Sequence, residues 1–146
     1  MKYVLLIFSL ISPLTQSASA LDMEPIEKYA NENDFTKNPG AFQFILMRCT
    51  ALYLLVGGSL KENSTTQGVG EKLIASSDVF SQGAFRLSNL GSTSDIEFVK
   101  NQITRMAEAY KVRYLDARAL TGNFSDDPII KSDFSTCKVV LDAINK

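Results

Sequence analysis

Cysteine is the residue type with the most clearly defined chemistry in this sequence, because the chain contains two, Cys49 and Cys137. A redox-active pair typically has C-x-x-C spacing or a basic group beside one thiol, which lowers the pKa of that thiol. Arg48 is adjacent to Cys49, but the two cysteines are far apart in the sequence and each has apolar neighbours at helical spacing. This pattern favours a structural disulfide over a redox site, and it leaves two buried free thiols as the alternative.

Tyrosines and carboxylates in one segment offer a second kind of chemistry. Tyr110 and Tyr114 lie close in the sequence to Glu108 and Asp116. If burial raised the pKa of one of these carboxyl groups, the cluster could supply the acid or base of a hydrolase or lyase. The alternative is that Tyr53, Tyr110 and Tyr114 fill an apolar core, which is the usual role of large aromatic side chains.

Acidic and basic residues are interleaved along the same segment. Glu108 precedes Lys111 by three positions, and Arg113 precedes Asp116 by three. Residues three apart lie on one side of a helix, so these pairs predict a solvated surface with ion pairs. The chain has a formal net charge of −1, which disfavours binding of nucleic acid through a basic surface.

Metal and cofactor patterns are weak. The sequence contains no histidine, which removes the Ser-His and Cys-His nucleophile arrangements and the commonest zinc ligand. The segment NFSDD at 123–127 has oxygen ligands close together, but it lacks the register of a calcium loop, and a loop ending in the helix cap Asp127 explains it better. We therefore predict no catalytic, cofactor-binding or metal-binding residue.

The first twenty residues are predicted to be a signal peptide. One positive charge at Lys2 precedes an apolar run over 4–14, and small residues at Ala18 and Ala20 form an A-x-A cleavage site. The run is about eleven residues long, whereas a membrane-spanning helix needs roughly twenty. We therefore expect cleavage after Ala20, a single mature domain of residues 21–146, and a periplasmic or secreted location, where disulfides persist.

Helix start and stop signals divide this mature chain into five segments. Asn38 before Pro39, and Asp127 before Pro128, each predict an N-cap followed by proline at the first helical position. Two further starts have the spacing of a capping box, Ser64 with Gln67 and Ser94 with Glu97. Two glycines stand where C-terminal caps belong, Gly91 and Gly122. The signals predict a short first helix ending near Asp34, then helices over about 39–61, 65–90, 94–121 and 127–144.

Apolar residues recur every three or four positions in the long segments, so each helix should bury one stripe. Cys49 follows Leu46 on the stripe of the second helix, and Cys137 follows Phe134 on that of the last. No alternating run is long enough to predict a strand. The sequence therefore predicts an all-α antiparallel bundle of four main helices with a short N-terminal helix, pinned by a Cys49–Cys137 disulfide.

The segment 41–60 is also long and apolar enough to be considered as a membrane span. Arg48 lies near its centre, where insertion of an arginine costs about 2.5 to 3.5 kcal/mol. A core helix explains more, because Arg48 beside the stripe can cover apolar surface with its stem while its head reaches water. We expect a core helix and no stable membrane insertion after signal cleavage.

The expected function is inferred mainly from the structural role of these sequence patterns. Capping residues, apolar stripes and the cysteine pair all serve stability, as expected of a scaffold. We therefore expect a small exported binding or accessory protein that is not an enzyme and has an unknown protein or small-molecule partner. The alternative is a periplasmic hydrolase or lyase that uses carboxylates and tyrosines. Acids converging with a tyrosine in a deep pocket would favour the enzyme, whereas Glu108 and Asp116 in solvent around a filled core would favour the binding protein.

Overall fold

The computed structural model describes residues 22–88 and 93–146, with the side chains of Thr93 and Ser94 excepted. The predicted signal peptide, the Gly91 cap and the Ser94 side chain lie outside this part. The described elements are α1 Ile26–Asn33, α2 Pro39–Lys61, α3 Gln67–Leu87, α4 Thr93–Thr121, a short 3-10 helix Phe124–Asp126, and α5 Pro128–Ile144. No strand occurs within these residues, so the predicted all-α class is confirmed for them.

Two helix starts follow directly from the cap residues found in the sequence. The Asn38 side chain accepts a hydrogen bond from the Ala41 amide at 3.1 Å, which begins α2. The Asp127 side chain accepts from the amides of Ile129 and Ile130, both at 2.9 Å, which begins α5. Each bond satisfies an amide that has no partner inside the helix, and the predicted starts are confirmed.

The capping box predicted at the start of α3 is wrong. Ser64 does not cap the helix; the cap residue is Thr66, and its side chain makes no capping bond. The Thr66 hydroxyl instead donates to the carbonyl oxygen of Leu60 at 2.7 Å, while the Gln67 amide donates to Glu71 at 2.9 Å. The turn before α3 is therefore stabilised by a hydrogen bond to the end of α2 and not by a capping box.

Helix α2 lies at the centre of the molecule and contacts α1, α3, α4 and α5. Every residue of α2 from Ile45 to Tyr53 is buried. Its apolar residues therefore cover more of the helix surface than a single stripe. It is the one helix in 22–88 and 93–146 that is long and apolar enough to cross a membrane, and 67% of its most apolar window is buried within the protein. That burial favours the core-helix interpretation.

Helices α2 and α3 cross at a pair of glycines. A Cβ on Gly57 would lie 2.9 Å from the carbonyl oxygen of Gly70, and a Cβ on Gly70 would lie 2.6 Å from the carbonyl oxygen of Gly57. Only residues without a side chain allow the two backbones to approach this closely. Glycine lowers helix propensity, yet α3 continues through Gly70 because the close packing requires it there.

The two cysteines meet between α2 and α5. The sulfur atoms of Cys49 and Cys137 lie 2.05 Å apart, at disulfide distance, across a sequence separation of 88. Both residues are fully buried, so the predicted apolar stripes do face one another at this point.

Candidate functional site

Arg48 is the main departure from the sequence-based expectation. Its side chain was predicted to reach water, but the residue is only 4% exposed. Its guanidinium forms an ion pair with the carboxylate of Asp133, a residue of α5 that is 0% exposed. Its Nε and Nη2 also donate to the Tyr110 hydroxyl at 3.1 and 3.0 Å. The prediction was wrong because α5 supplies a buried counter-charge, without which a charged group is very costly to bury.

The chain immediately before and at the start of α1 completes this cluster. Arg48 Nη1 donates to the carbonyl oxygen of Glu24 at 2.7 Å, and Asp133 Oδ1 accepts from the Ile26 amide at 2.7 Å. Tyr110 donates its hydroxyl proton to Asp133 Oδ2. Buried ion pairs are tolerated when further hydrogen bonds satisfy both partners. We call Arg48, Tyr110 and Asp133 the Arg48 cluster; it ties α2, α4 and α5 to residues 24–26.

Burial controls the acid–base chemistry of this cluster. It raises the pKa of Asp133, while the Arg48 guanidinium, the Tyr110 hydroxyl and the Ile26 amide act in the opposite direction. It also raises the pKa of Tyr110 well above the ordinary value of 10.0, so the hydroxyl stays protonated and remains a donor. Tyr110 and Asp133 are both 0% exposed, and a bound molecule therefore has no direct access to this acid–base pair.

One edge of the cluster borders a surface cleft of about 490 Å³. The cleft lies between the N-terminal segment, α1, α2 and α4, and Arg48 is the member of the cluster that lines it. Its lining residues are Asp22, Met23, Glu24, Tyr29, Phe44, Arg48, Arg105, Met106 and Ala109. The volume lies in the range of small-molecule sites. We call it the Arg48 cleft.

A second tyrosine cluster lies one turn further along α4. The Tyr114 hydroxyl is hydrogen-bonded to the Ser59 hydroxyl and accepts from Arg118 Nη1 at 3.3 Å. The Phe124 ring stacks on Tyr114 with ring centroids 5.0 Å apart. These four residues, which we call the Tyr114 cluster, line a separate cleft of about 390 Å³, and Arg118 is exposed to solvent.

The carboxylates selected from the sequence do not join either tyrosine. Glu108 and Asp116 are both exposed. Glu108 pairs with Lys111 at 3.8 Å, as predicted. The predicted pair of Arg113 with Asp116 is wrong, since Arg113 pairs instead with Asp127, the cap of α5, at 3.2 Å. A tertiary partner on the next helix takes the place of the partner three positions away.

The segment 123–127, in which the cap interpretation was preferred to a calcium loop, uses its side chains to bind nearby backbone amides. The Asn123 side chain accepts from the Ser125 amide at 3.1 Å, and Asp127 caps α5. Across 22–88 and 93–146, no group of three or more His, Cys, Asp or Glu side chains is placed to hold a metal ion. The side-chain oxygens of Asn123 and Asp127 therefore have structural partners of their own.

Sequence reasoning missed Asp133, although a signal for it was present. Asp133 lies four positions before Cys137 and three after Ile130, which puts an acid on the apolar stripe of the last helix. Arg48 puts a base beside the stripe of α2. One unmatched charge of each sign on two helices that share a core predicts a buried pair.

Comparisons of the chain with protein-family models, curated proteins and solved structures find no match. A functional assignment therefore rests on the residues and geometry of this chain. Two features are available for it: a buried cluster of polar side chains that bond to one another, and the open cleft that borders it.

Proposed function

We propose that this protein is an exported, non-enzymatic binding protein that holds a small molecule in the Arg48 cleft. The observation that carries the proposal is the composition of the cleft. Met23, Tyr29, Phe44 and Met106 line it, with Arg48 adjoining the cluster. Small-molecule sites typically combine such apolar and aromatic walls with a few oriented polar groups.

The accessibility of the acid–base groups supports binding over catalysis. A general acid or base must come within hydrogen-bond reach of the proton that it transfers. Tyr110 and Asp133 are fully buried and hydrogen-bonded to each other. Glu108 and Asp116 are exposed to solvent, and neither is hydrogen-bonded to Tyr110 or Tyr114. The second candidate, a carboxylate- and tyrosine-based hydrolase or lyase, is favoured by the raised pKa of Asp133 beside Tyr110, and it requires the cluster to open.

Export is part of the proposal. Cysteines placed at disulfide distance are typical of proteins from oxidising compartments, and the composition of residues 1–20 is that of a signal peptide. We propose that the pair is oxidised after export and that the mature chain begins at Leu21. Mass spectrometry of the exported protein should show a chain that begins at Leu21. Reduction should raise its mass by about 2 Da, because opening one disulfide adds two hydrogen atoms.

We further propose that the four long helices form an antiparallel bundle. Gln43, early in α2, donates to the carbonyl oxygen of Ala84, late in α3, at 2.9 Å. Tyr110 of α4 contacts Asp133 of α5, while the later Arg113 contacts the earlier Asp127. In each case a residue early in one helix contacts a residue late in its partner helix, or the reverse, which supports an antiparallel arrangement.

Blocking the cleft tests the binding function. Ala109→Trp places a large side chain in the cleft, and Ala119→Trp makes the same change at an exposed position of α4. Ligands found by NMR screening of a small-molecule set against the exported protein should bind the parent and Ala119→Trp, but bind Ala109→Trp at least about tenfold more weakly. Unfolding curves show whether both variants remain folded. Equal binding by both, or turnover of a bound molecule, would contradict the proposal.

A further inference from the structure

Charged residues of both signs line the Arg48 cleft together with its apolar residues. Asp22 and Glu24 come from the N-terminal segment, and Arg105 comes from α4. Glu24 is paired with Lys28 at 2.5 Å. No ion pair within 22–88 and 93–146 involves Asp22 or Arg105. One carboxylate and one guanidinium therefore line the same cleft without pairing with each other.

Arg48 adds a hydrogen-bond donor to the same cleft. A guanidinium has five N–H groups. The hydrogen bonds of Arg48 to Tyr110, Glu24 and Asp133 use the Nε group, one group on Nη1 and both on Nη2. One N–H on Nη1 has no acceptor in the described part of the chain, and Arg48 lines the cleft. A carboxylate of a bound molecule is the acceptor that such a donor prefers.

The apolar residues of the cleft suit an apolar or aromatic side chain of a ligand. The rings of Tyr29 and Phe44 lie with centroids 4.3 Å apart at 41°, and Met23 and Met106 line the same cleft. Methionine side chains adapt their shape to irregular apolar ligands. The faces of aromatic rings bind apolar groups and also attract ammonium groups.

From this juxtaposition we infer that the Arg48 cleft selects a small zwitterion with an apolar side chain, of the class of α-amino acids; the inference rests on the proposed binding function. The ligand carboxylate lies towards Arg105 and the remaining Arg48 N–H, and its ammonium lies towards Asp22. A purely anionic ligand leaves Asp22 as a like charge, and a purely cationic ligand leaves Arg105 as one. Discrimination of this kind comes from repulsive as well as attractive groups.

Four probes that share one ring separate the possibilities: L-phenylalanine, 2-phenylethylamine, 3-phenylpropionate and neutral propylbenzene. Calorimetry or NMR titration of the full exported protein should show that L-phenylalanine binds about tenfold more tightly than each singly charged probe. The margin is modest because Asp22 and Arg105 are exposed. L-leucine and L-methionine extend the set to other apolar side chains.

Charge-removing variants assign each end of the ligand. Arg105→Met should reduce the advantage of L-phenylalanine over 2-phenylethylamine, because only the Arg48 N–H is then left to bind the ligand carboxylate. Asp22→Asn should abolish the advantage of L-phenylalanine over 3-phenylpropionate. Arg86→Met and Asp78→Asn, at exposed positions of α3, are the matched controls and should change neither ratio.

The outcomes distinguish this inference from the proposed function. If all four probes bind the parent equally and Ala109→Trp weakens them all, the selection of zwitterions is wrong while the binding function stands. If singly charged or neutral probes bind and no zwitterion does, the inference is again overturned. If neither these probes nor a broader ligand set binds in a way that Ala109→Trp affects, the binding function itself is wrong.

Discussion

Tyr110 and Tyr114 lie one turn apart on α4, and each accepts a hydrogen bond from an arginine and contacts a second polar side chain. Their surroundings differ. Tyr110 is 0% exposed between Arg48 and Asp133, and Tyr114 is 6% exposed beside Ser59 and a solvent-facing arginine. The same tyrosine–arginine contact therefore occurs once with a buried arginine and once with an exposed one.

The comparison shows that access to water determines which partners a cluster needs. Arg118 can exchange its contact with Tyr114 for water, because it is exposed. Arg48 is only 4% exposed, so a carboxylate, a hydroxyl and a backbone carbonyl take the place of water for most of its N–H groups. We expect the Arg48 cluster to determine stability and the Tyr114 cluster to contribute little.

Removing the carboxylate should have the largest effect. Asp133→Ala leaves Arg48 buried without its counter-charge, and we expect a loss of about 3 to 5 kcal/mol in the free energy of unfolding. Urea denaturation measures it. The double variant Arg48→Met with Asp133→Leu removes both charges and should recover most of this loss. A cost below about 1 kcal/mol for Asp133→Ala would show that the two clusters do not differ as we argue.

Loss of the cysteine pair should have the next largest effect. Cys49 is adjacent to Arg48, and Cys137 lies one turn after Asp133, so the pair and the Arg48 cluster fasten the same two helices. Across a separation of 88, opening the disulfide should cost about 2 to 4 kcal/mol. Urea denaturation of Cys49→Ser against the oxidised parent measures it. Two freely alkylated thiols in protein isolated from its native compartment without reductant would reject the bridge outright.

The difference between these clusters also explains what the sequence could predict. The starts of α2 and α5 depend on Asn38 and Asp127, each acting on amides two or three positions away, and such local chemistry is visible in the sequence. The Cys49–Cys137 pairing followed from two apolar stripes and one pair of thiols. In both cases few alternatives compete.

The Arg48 cluster depends instead on residues that are far apart in the chain. Arg48 and Asp133 are separated by 85 positions, and periodicity predicts a buried face without predicting which charges meet on it. For Arg113, a local rule selected Asp116, but the adjacent helix offered Asp127. The Arg48 cleft was beyond sequence reasoning for the same reason, because its walls come from separate elements whose packing decides which side chains adjoin.

Matched hydroxyl deletions on α4 should give a smaller effect that separates the two tyrosines. Tyr110→Phe removes the hydroxyl that donates to Asp133 and accepts from Arg48. We therefore expect a loss of about 1 to 3 kcal/mol in the free energy of unfolding. Tyr114→Phe should cost below about 1 kcal/mol, because Ser59 and Arg118 are near solvent. Urea denaturation of both variants measures the difference. Equal losses would show that burial does not set the strength of these contacts.

The smallest effect should appear only in alkaline solution, and it depends on the pKa of Tyr110. Below about pH 10 its hydroxyl is protonated in both the folded and the unfolded protein, so its contribution to stability is constant. In the folded protein burial raises this pKa well above 10.0. As the pH rises from about 10 towards the folded pKa, only the unfolded chain gives up the proton, so the free energy of unfolding should fall.

A comparison of the parent with Tyr110→Phe isolates this loss, since the other ionisable side chains are present in both proteins. The parent should lose up to about 1.4 kcal/mol more per pH unit than the variant between roughly pH 10 and 11. Urea denaturation at half-unit steps of pH gives both slopes, and the two should coincide below about pH 9. Parallel slopes throughout would mean that Tyr110 ionises as readily in the folded protein as in the unfolded chain. The hydroxyl would then be reachable by water, and the contrast between the closed Arg48 cluster and the open Tyr114 cluster would fail at its central residue.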